Sequence, residues 1–362
     1  MKKWLLGITL LLLLATGVAV VAQDIPLFCG DLSEADCTLL KDSNAAMKAV
    51  HSSSFDMKSM LAISNIPDMP ANSLEFHLNG TGGFEGGTTN LEDFVFPSTE
   101  ADTASFFTLM ADMLRGIKGD MSLSLEIPAD VAKLAEDVKL PESIGLDFRM
   151  VDGVAYLNLA QIAAIEPKAG IPAGWVGIDL AELYADVMPQ QFANLPTGSL
   201  NIMGMITDLI KPENVGKFVS IERLADAEIM GQKVAVFHTT INYSALLEMD
   251  AFRKMFDEVL SSEGVTEEER ANQLDMIKQM YSGMSFEVTQ SIGMDDKRVH
   301  STSWTFALDT SKMPGMKEDS APQVNMSMVI DTTDFNKDVT VDVPENAMVL
   351  PLKSMLLSQT QK

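Results

Sequence analysis

The chain reads as an α+β protein built on one large, curved antiparallel sheet, and three features of the sequence lead there. Segment after segment alternates apolar and polar side chains with a period of two, the pattern of a strand buried on one face only. A few stretches instead repeat apolar residues every three or four positions behind capping residues, as amphipathic helices do. No Pro-, Gly- or Ser-rich linker divides the 362 residues and no fixed internal period recurs, so strands and helices belong to one domain.

Ser33 stands three residues before Asp36 as a helix N-cap, and Leu39, Leu40, Met47 and Val50 follow at helical spacing. From Ser52 the period falls to two: Phe55 and Met57, then Leu74, Phe76 and Leu78, predict two strands joined through Pro67 and Pro70. The Gly-rich run Gly80 to Gly87 reads as the turn that closes them. A short helix over Ala104 to Arg115 precedes the cleanest strand, Met121, Leu123, Leu125 and Ile127 set against Ser122, Ser124 and Glu126.

Further strands are expected at Leu146 to Met150, Val154 to Leu159, Trp175 to Leu180 and Val219 to Ile221, with a hairpin over Ala227 to Tyr243 turning near Gly231-Gln232. Helices follow at Ser244 to Leu260 and behind the capping-box spelling Thr266-Glu267-Glu268-Glu269. Phe286, Val288, Gln290 and Ile292 begin the next strand, which turns through Asp295-Asp296 into His300, Trp304, Phe306 and Leu308. Val324 to Ile330 and then Val339, Val341 and Val343 complete the series.

Before all of this, Lys2 and Lys3 precede the apolar run Trp4 to Ala22, an export signal. Cleavage after Ala22 makes Gln23 the mature start; a run of about 20 apolar residues is also long enough to remain as an anchor. Either way the chain works outside the cytoplasm, secreted or held at the cell envelope. There Cys29 and Cys37, the only cysteines, are expected to pair as a disulfide. Phe28 stands where a lipoprotein processing site carries a small residue, so neither is a lipid-anchor cysteine. Two thiols without a nearby His are too few for structural zinc.

A formal net charge of −25, deeper once Lys2 and Lys3 leave, excludes nucleic acid as a partner, since a polyanion is bound by a clustered basic face. It also repels anionic membrane surfaces beyond a Debye length of ~8 Å. Catalytic patterns are missing too. His51, His77, His238 and His300 sit singly in helix or strand patterns, and no G-x-S-x-G elbow occurs. The run Gly80 to Gly87 lacks the Lys-Ser/Thr of a phosphate loop and holds Glu85, which repels phosphate. The acidic run Asp331 to Asp338 departs from the calcium-loop spelling and reads as a turn. No enzyme activity, cofactor or metal is expected.

Methionine is unusually frequent, with 25 residues. Its unbranched, polarisable side chain fills irregular gaps and adapts to apolar ligands of varied shape. Many Met and Phe side chains on a long curved sheet with few helices to cover it point to a cavity. Its expected wall is Met121, Leu123, Leu125, Phe286, Val288, Trp304, Phe306, Met326 and Met328.

The order of an N-terminal helix, a long antiparallel meander, inserted helices and a last strand ending in Pro344 resembles the half-barrel carriers of the LolA and LppX/LprG type. The stretches carrying the likeness are Gly174 to Leu180, Ala227 to Phe237 and Asp338 to Pro344. The resemblance implies a half-barrel with helices packed against its concave face, holding acyl chains without catalysis. The likeness covers 52–347, so the chain divides into the leader at 1–22, an arm and helix at 23–51, the half-barrel at 52–347 and a tail at 348–362. The expected partner is thus a lipid or other long apolar ligand. The alternative is a structural or protein-interaction domain of the envelope, solid in its core, whose acidic surface meets a protein partner or calcium.

Overall fold

The structure is a computed structural model, and it describes residues 28–66, 73–86, 100–134, 140–189, 211–262, 266–313, 316, 321–351 and 353. The leader read at 1–22 lies outside these residues, as do 190–210 and most of the tail.

Helix α1 (Glu34–Lys48) begins where the sequence places it: the Ser33 side chain accepts a hydrogen bond from the Asp36 amide. A cap of this kind is worth about 1 kcal/mol. The Cys29–Cys37 disulfide ties the preceding arm to the first turn of the helix. Then come β1 (Ser52–Ser64) and β2 (Ser73–Glu85), paired antiparallel. Helix α2 (Glu100–Gly116) leads into β3 (Lys118–Glu126) and α3 (Ala129–Leu134). The hairpin of β4 (Ser143–Val151) and β5 (Val154–Asn158) turns on Asp152-Gly153, both at positive φ, as a two-residue turn matched to strand twist requires. After α4 (Ala160–Ile165) and β6 (Trp175–Asp179), α5 (Leu180–Glu182) continues as a π-helical turn to Val187.

Helix α6 (Pro212–Val215) precedes β7 (Val219–Arg223), β8 (Ala227–Ile229) and β9 (Gln232–Ile241), the last two turning on Met230-Gly231, one residue before the expected Gly231-Gln232. The single helix expected from Ser244 to Leu260 is instead two, α7 (Tyr243–Glu248) and α8 (Asp250–Ser262). Met249 between them is extended, with ψ 135°, and buries its side chain, so local packing outweighs continuous helical periodicity. Helix α9 (Glu267–Ser282) starts on a full capping box between Thr266 and Glu269. Strands β10 (Met284–Gly293), β11 (Val299–Asp309), β12 (Gln323–Thr333) and β13 (Met348–Leu350) follow.

All these strands join one 13-stranded sheet in the order β13-β6-β5-β4-β3-β2-β1-β12-β11-β10-β9-β7, with β8 also on β9. Among the described residues only the β13–β6 pair is parallel. The antiparallel step from β1 to β12 closes the meander in the middle of the sheet and joins its two halves. The result is the expected α+β architecture, an open curved sheet with helices on its concave face. Helix α1 packs there through Leu40 on Phe237, Ala235 and Ile292. Around the β4–β6 end, α2 packs on α5, with Phe107 against Tyr184 at 6.2 Å between ring centroids.

Two expectations are corrected. The glycines from Gly80 onward do not form the turn: β2 runs straight through to Glu85. Their small size serves the neighbouring strands, because a Cβ on Gly82 would lie 2.2 Å from the Asp120 carbonyl oxygen and one on Gly80 would lie 2.6 Å from Leu123. The valine series Val339-Val341-Val343 also forms no strand. Strand β1 is already paired on both sides, by β2 and β12, so the segment after β12 finds no free edge there. It runs on as an extended strap: the Val339 amide donates to Glu85 Oε2 at 3.2 Å and Arg149 donates to the Asp342 carbonyl at 3.1 Å. It reaches a free edge at β6, where Met348–Leu350, within the stretch read as a tail, becomes β13.

Two outcomes follow from this packing. Gly82→Val forces β3 away from β2 and lowers stability by about 2–3 kcal/mol, read from the midpoint of denaturant unfolding. The Glu85 carboxyl is held below its usual range by its hydrogen bond with Lys118, and then by the Val339 amide. A lowered folded-state value stabilises above the unfolded value and loses that contribution as pH falls through the folded one. Glu85→Gln therefore loses less stability than the parent between about pH 7 and about pH 3.

Candidate functional site

Side chains alternate across a strand, so register decides which of them share a face. One cross-strand row runs Leu123, Gly80, Met57, Ile330, Thr302, Gln290 and Phe237, from β3 to β9. The next runs Leu125, Leu78, Ser59, Met328, Trp304, Val288 and Thr239. A third holds Phe76, Leu61, Met326, Phe306 and Phe286, and a fourth Leu74, Ile63, Val324, Leu308 and Met284. Met121 lies one step beyond the first row, opposite Gly82 and Phe148. Every residue that the sequence assigns to the wall thus lies on a single face, the one that α1 covers at its β9 end. The opposite face carries Asp56, Lys58, Ser122, Ser124, Glu287 and Asp331.

Burial divides that wall. Met121, Leu123 and Met328 are 4–7% exposed and join Met57 in one packed cluster, with Trp304 and Ile330 against it. Gly80 lets this happen, since without a Cβ on β2 the side chains of Leu123 and Met57 meet over it. A second packed cluster, Phe237, Ala235, Ile292 and Leu40, lies under α1. Between and below the two, Leu125, Val288, Phe286, Trp304, Phe306 and Met326 are only half-buried. Phe286 and Trp304 lean on each other, with ring centroids 6.2 Å apart. The helical segment before β10 is anchored by Tyr243 of α7 against Tyr281 of α9, at 5.2 Å.

Sequence reasoning misses Met57, Leu61 and Leu78 as members of this face, and the polar pair Thr302 and Gln290 within it. The signal for the first three is the alternation in β1 and β2, whose place beside β12 and β3 only pairing reveals. Gln290 stands at an apolar phase of its own strand, in line with Phe286 and Val288.

Other chemistry lies apart from the face. His238 on β9 and His300 on β11 stand apart, with β10 between their strands. His300 is buried and held by both carboxylate oxygens of Asp296, at 3.1 and 3.0 Å, with Phe335 edge-on to its ring. His238 meets Thr289 and Glu287. No cluster of three His, Cys, Asp or Glu among the described residues is placed to hold a metal ion. A groove of about 430 Å³ opens beside α6 and α7, lined by Asn214, Lys217, Glu248, Met249 and Asp250 among others. Its charged lining does not suit an acyl chain, and none of the wall residues borders it. No helix among the described residues is long and apolar enough to cross a membrane, which says nothing of β-barrels.

No known family matches the chain, and no curated protein does. Among solved structures it is similar to the lipoprotein LppX of Mycobacterium tuberculosis, at 11% identity over 85% of this chain and 100% of that one, with a TM-score of 0.29. It is also similar to LprF of Mycobacterium bovis, at 12% identity over 85% of this chain and 95% of that one, TM-score 0.28. A DUF1329 family protein from Desulfovibrio piger gives 9% identity over 84% and 92% of the two chains, TM-score 0.21.

The division of the face has a measurable consequence. Met121→Ala empties a closed core site and costs about 2–4 kcal/mol, whereas Phe306→Ala, at a half-buried position, costs under about 2 kcal/mol despite the larger side chain. Urea unfolding of the two variants measures both.

Proposed function

We propose that the chain is an exported, envelope-associated carrier that holds a lipid or another long apolar molecule between the apolar sheet face and its helices, without catalysis. The observation that carries this reading is the divided packing of a continuous apolar face. A self-sufficient core is usually one contiguous cluster per domain. Here two packed clusters flank a belt of half-buried aromatic, Met and Leu side chains. A guest chain laid along Trp304, Phe306, Phe286 and Met326 would bury that belt.

The energetics suit such a role. Each methylene taken from water contributes about 0.8 kcal/mol, so a dozen supply roughly 10 kcal/mol before ordering and translational costs. Affinity of this origin needs surface rather than a motif, which agrees with a chain whose catalytic signatures are missing. The unbranched Met side chains in the belt and beside it adapt to guests of varied shape.

A second reading has its own support. The closed packing of Met57, Met121, Leu123 and Met328 is what an envelope scaffold with a solid core requires, its acidic surface meeting a protein or calcium. Native mass spectrometry of the freshly purified protein separates the two. The carrier reading expects a co-purifying lipid mass, lost in Met326→Glu with an unchanged circular dichroism spectrum; Leu123→Glu, at a packed site, loses uptake and stability together. A lipid-free protein that also takes up neither dodecyl dodecanoate nor didodecyl phosphate establishes the scaffold reading instead.

A further inference from the structure

Gln290 and Thr302 break the apolar character of the face at one place. They are directly opposite each other on β10 and β11, between Phe237 on one side and Ile330 on the other. That is the seam between the packed cluster under α1 and the cluster around Met57. Both are half-buried, and neither side chain hydrogen-bonds to any other described residue. A carboxamide that donates and accepts, beside a hydroxyl that does both, is thus left with open capacity among apolar neighbours. Neither is fully enclosed, so both stay open to a molecule laid along the face.

The charge around them is as informative. The rows through Gln290, Val288 and Phe286 carry no ionisable side chain from β1 to β10. Beyond β10 the face carries ionisable groups at Lys233 and Glu228, paired on β9 and β8, and beside the seam at Arg223 on the edge strand, opposite Phe237. Arg223 is already used: its guanidinium lies over the Phe237 ring at 5.3 Å and pairs with Asp36 at 3.3 Å and with Asp226. An ionised group brought to the seam would meet no counter-charge there, and an unpaired charge is expensive to bury.

We infer that Gln290 and Thr302 form a neutral polar notch that selects an uncharged lipid, one whose polar group is an ester, hydroxyl or amide. The inference rests on the carrier reading above and goes on to name the ligand class. Helix α1 closes the face just beyond the notch through Leu40 on Phe237 and Ile292, so the polar group of the guest is enclosed there. Its chain runs along Val288 and Trp304 toward the half-buried rows of Phe306 and Leu308.

The test uses two probes of equal chain length whose polar group lies mid-chain and cannot reach back to water: dodecyl dodecanoate, with an internal ester, and didodecyl phosphate, with an internal anion. Each is delivered from cyclodextrin to the full protein, and binding is read by displacement of a fluorescent apolar dye. The ester is expected to bind at least about a hundredfold more tightly than the phosphate. Gln290→Leu combined with Thr302→Val, which preserves size and fold, is expected to weaken ester binding about tenfold and to leave dye binding unchanged. Equal binding of ester and phosphate, or ester binding indifferent to the double substitution, overturns the notch while leaving carriage intact. Failure of the dye and both probes to bind overturns carriage itself.

Discussion

Strict alternation along the strands, held in register from β3 to β9, is the constraint on which the rest of the molecule depends. A strand presents successive side chains to opposite faces, and a slip of one residue would turn an entire apolar set toward water. Here the register survives the β1–β12 junction, where segments distant in sequence meet, so both halves of the sheet contribute to one apolar face. Such a face must be covered, and the helices cover it unevenly: α1 seals the β9 end, while the rows from Trp304 to Met284 keep part of their surface. The functional reading follows from that unevenness.

Within this frame, small residues and polar exceptions have separable roles. Gly80 and Gly82 lower the floor of β2 so that side chains from β1 and β3 meet over it, which makes the closed half of the face dense. Gln290 and Thr302 sit where density gives way, and they leave hydrogen-bonding capacity instead of bulk. The polar face is crossed by the strap after β12, pinned by Glu85 and Arg149, and the strap delivers β13 to the β6 edge. An edge left bare is a template for unwanted pairing, so this last strand also protects the sheet.

Much of this was legible in the sequence, because the signals were local. The Ser33 cap, the Thr266 capping box, the hairpin near Gly231 and the alternation of Met121, Leu123 and Leu125 each depend on residues within a few positions. That the residues expected at the wall share one face is legible for the same reason: phase within a strand says which side chains lie together, even before the pairing is known. What escaped was decided at long range. The glycines after Leu78 have turn chemistry, yet β1 and β3 on either side hold them extended. The valines from Val339 have strand chemistry and no unpaired neighbour to join. The helix interrupted at Met249 gives way to burial of that side chain. Gln290 stands in an apolar phase of its own strand, and its meaning comes from Thr302 on the next strand and from the gap between two clusters.

Trp304, within the half-buried belt, offers the most direct test. With Trp175 replaced by Phe, a mature chain beginning at Gln23 has Trp304 as its remaining tryptophan, and a neutral wax ester brominated along its chain can be titrated against its fluorescence. If the acyl chain lies on the apolar face, the bromines quench Trp304 saturably, and Met326→Glu abolishes the quenching. A brominated ester that binds while Trp304 fluorescence stays unchanged would place the guest elsewhere and contradict the account.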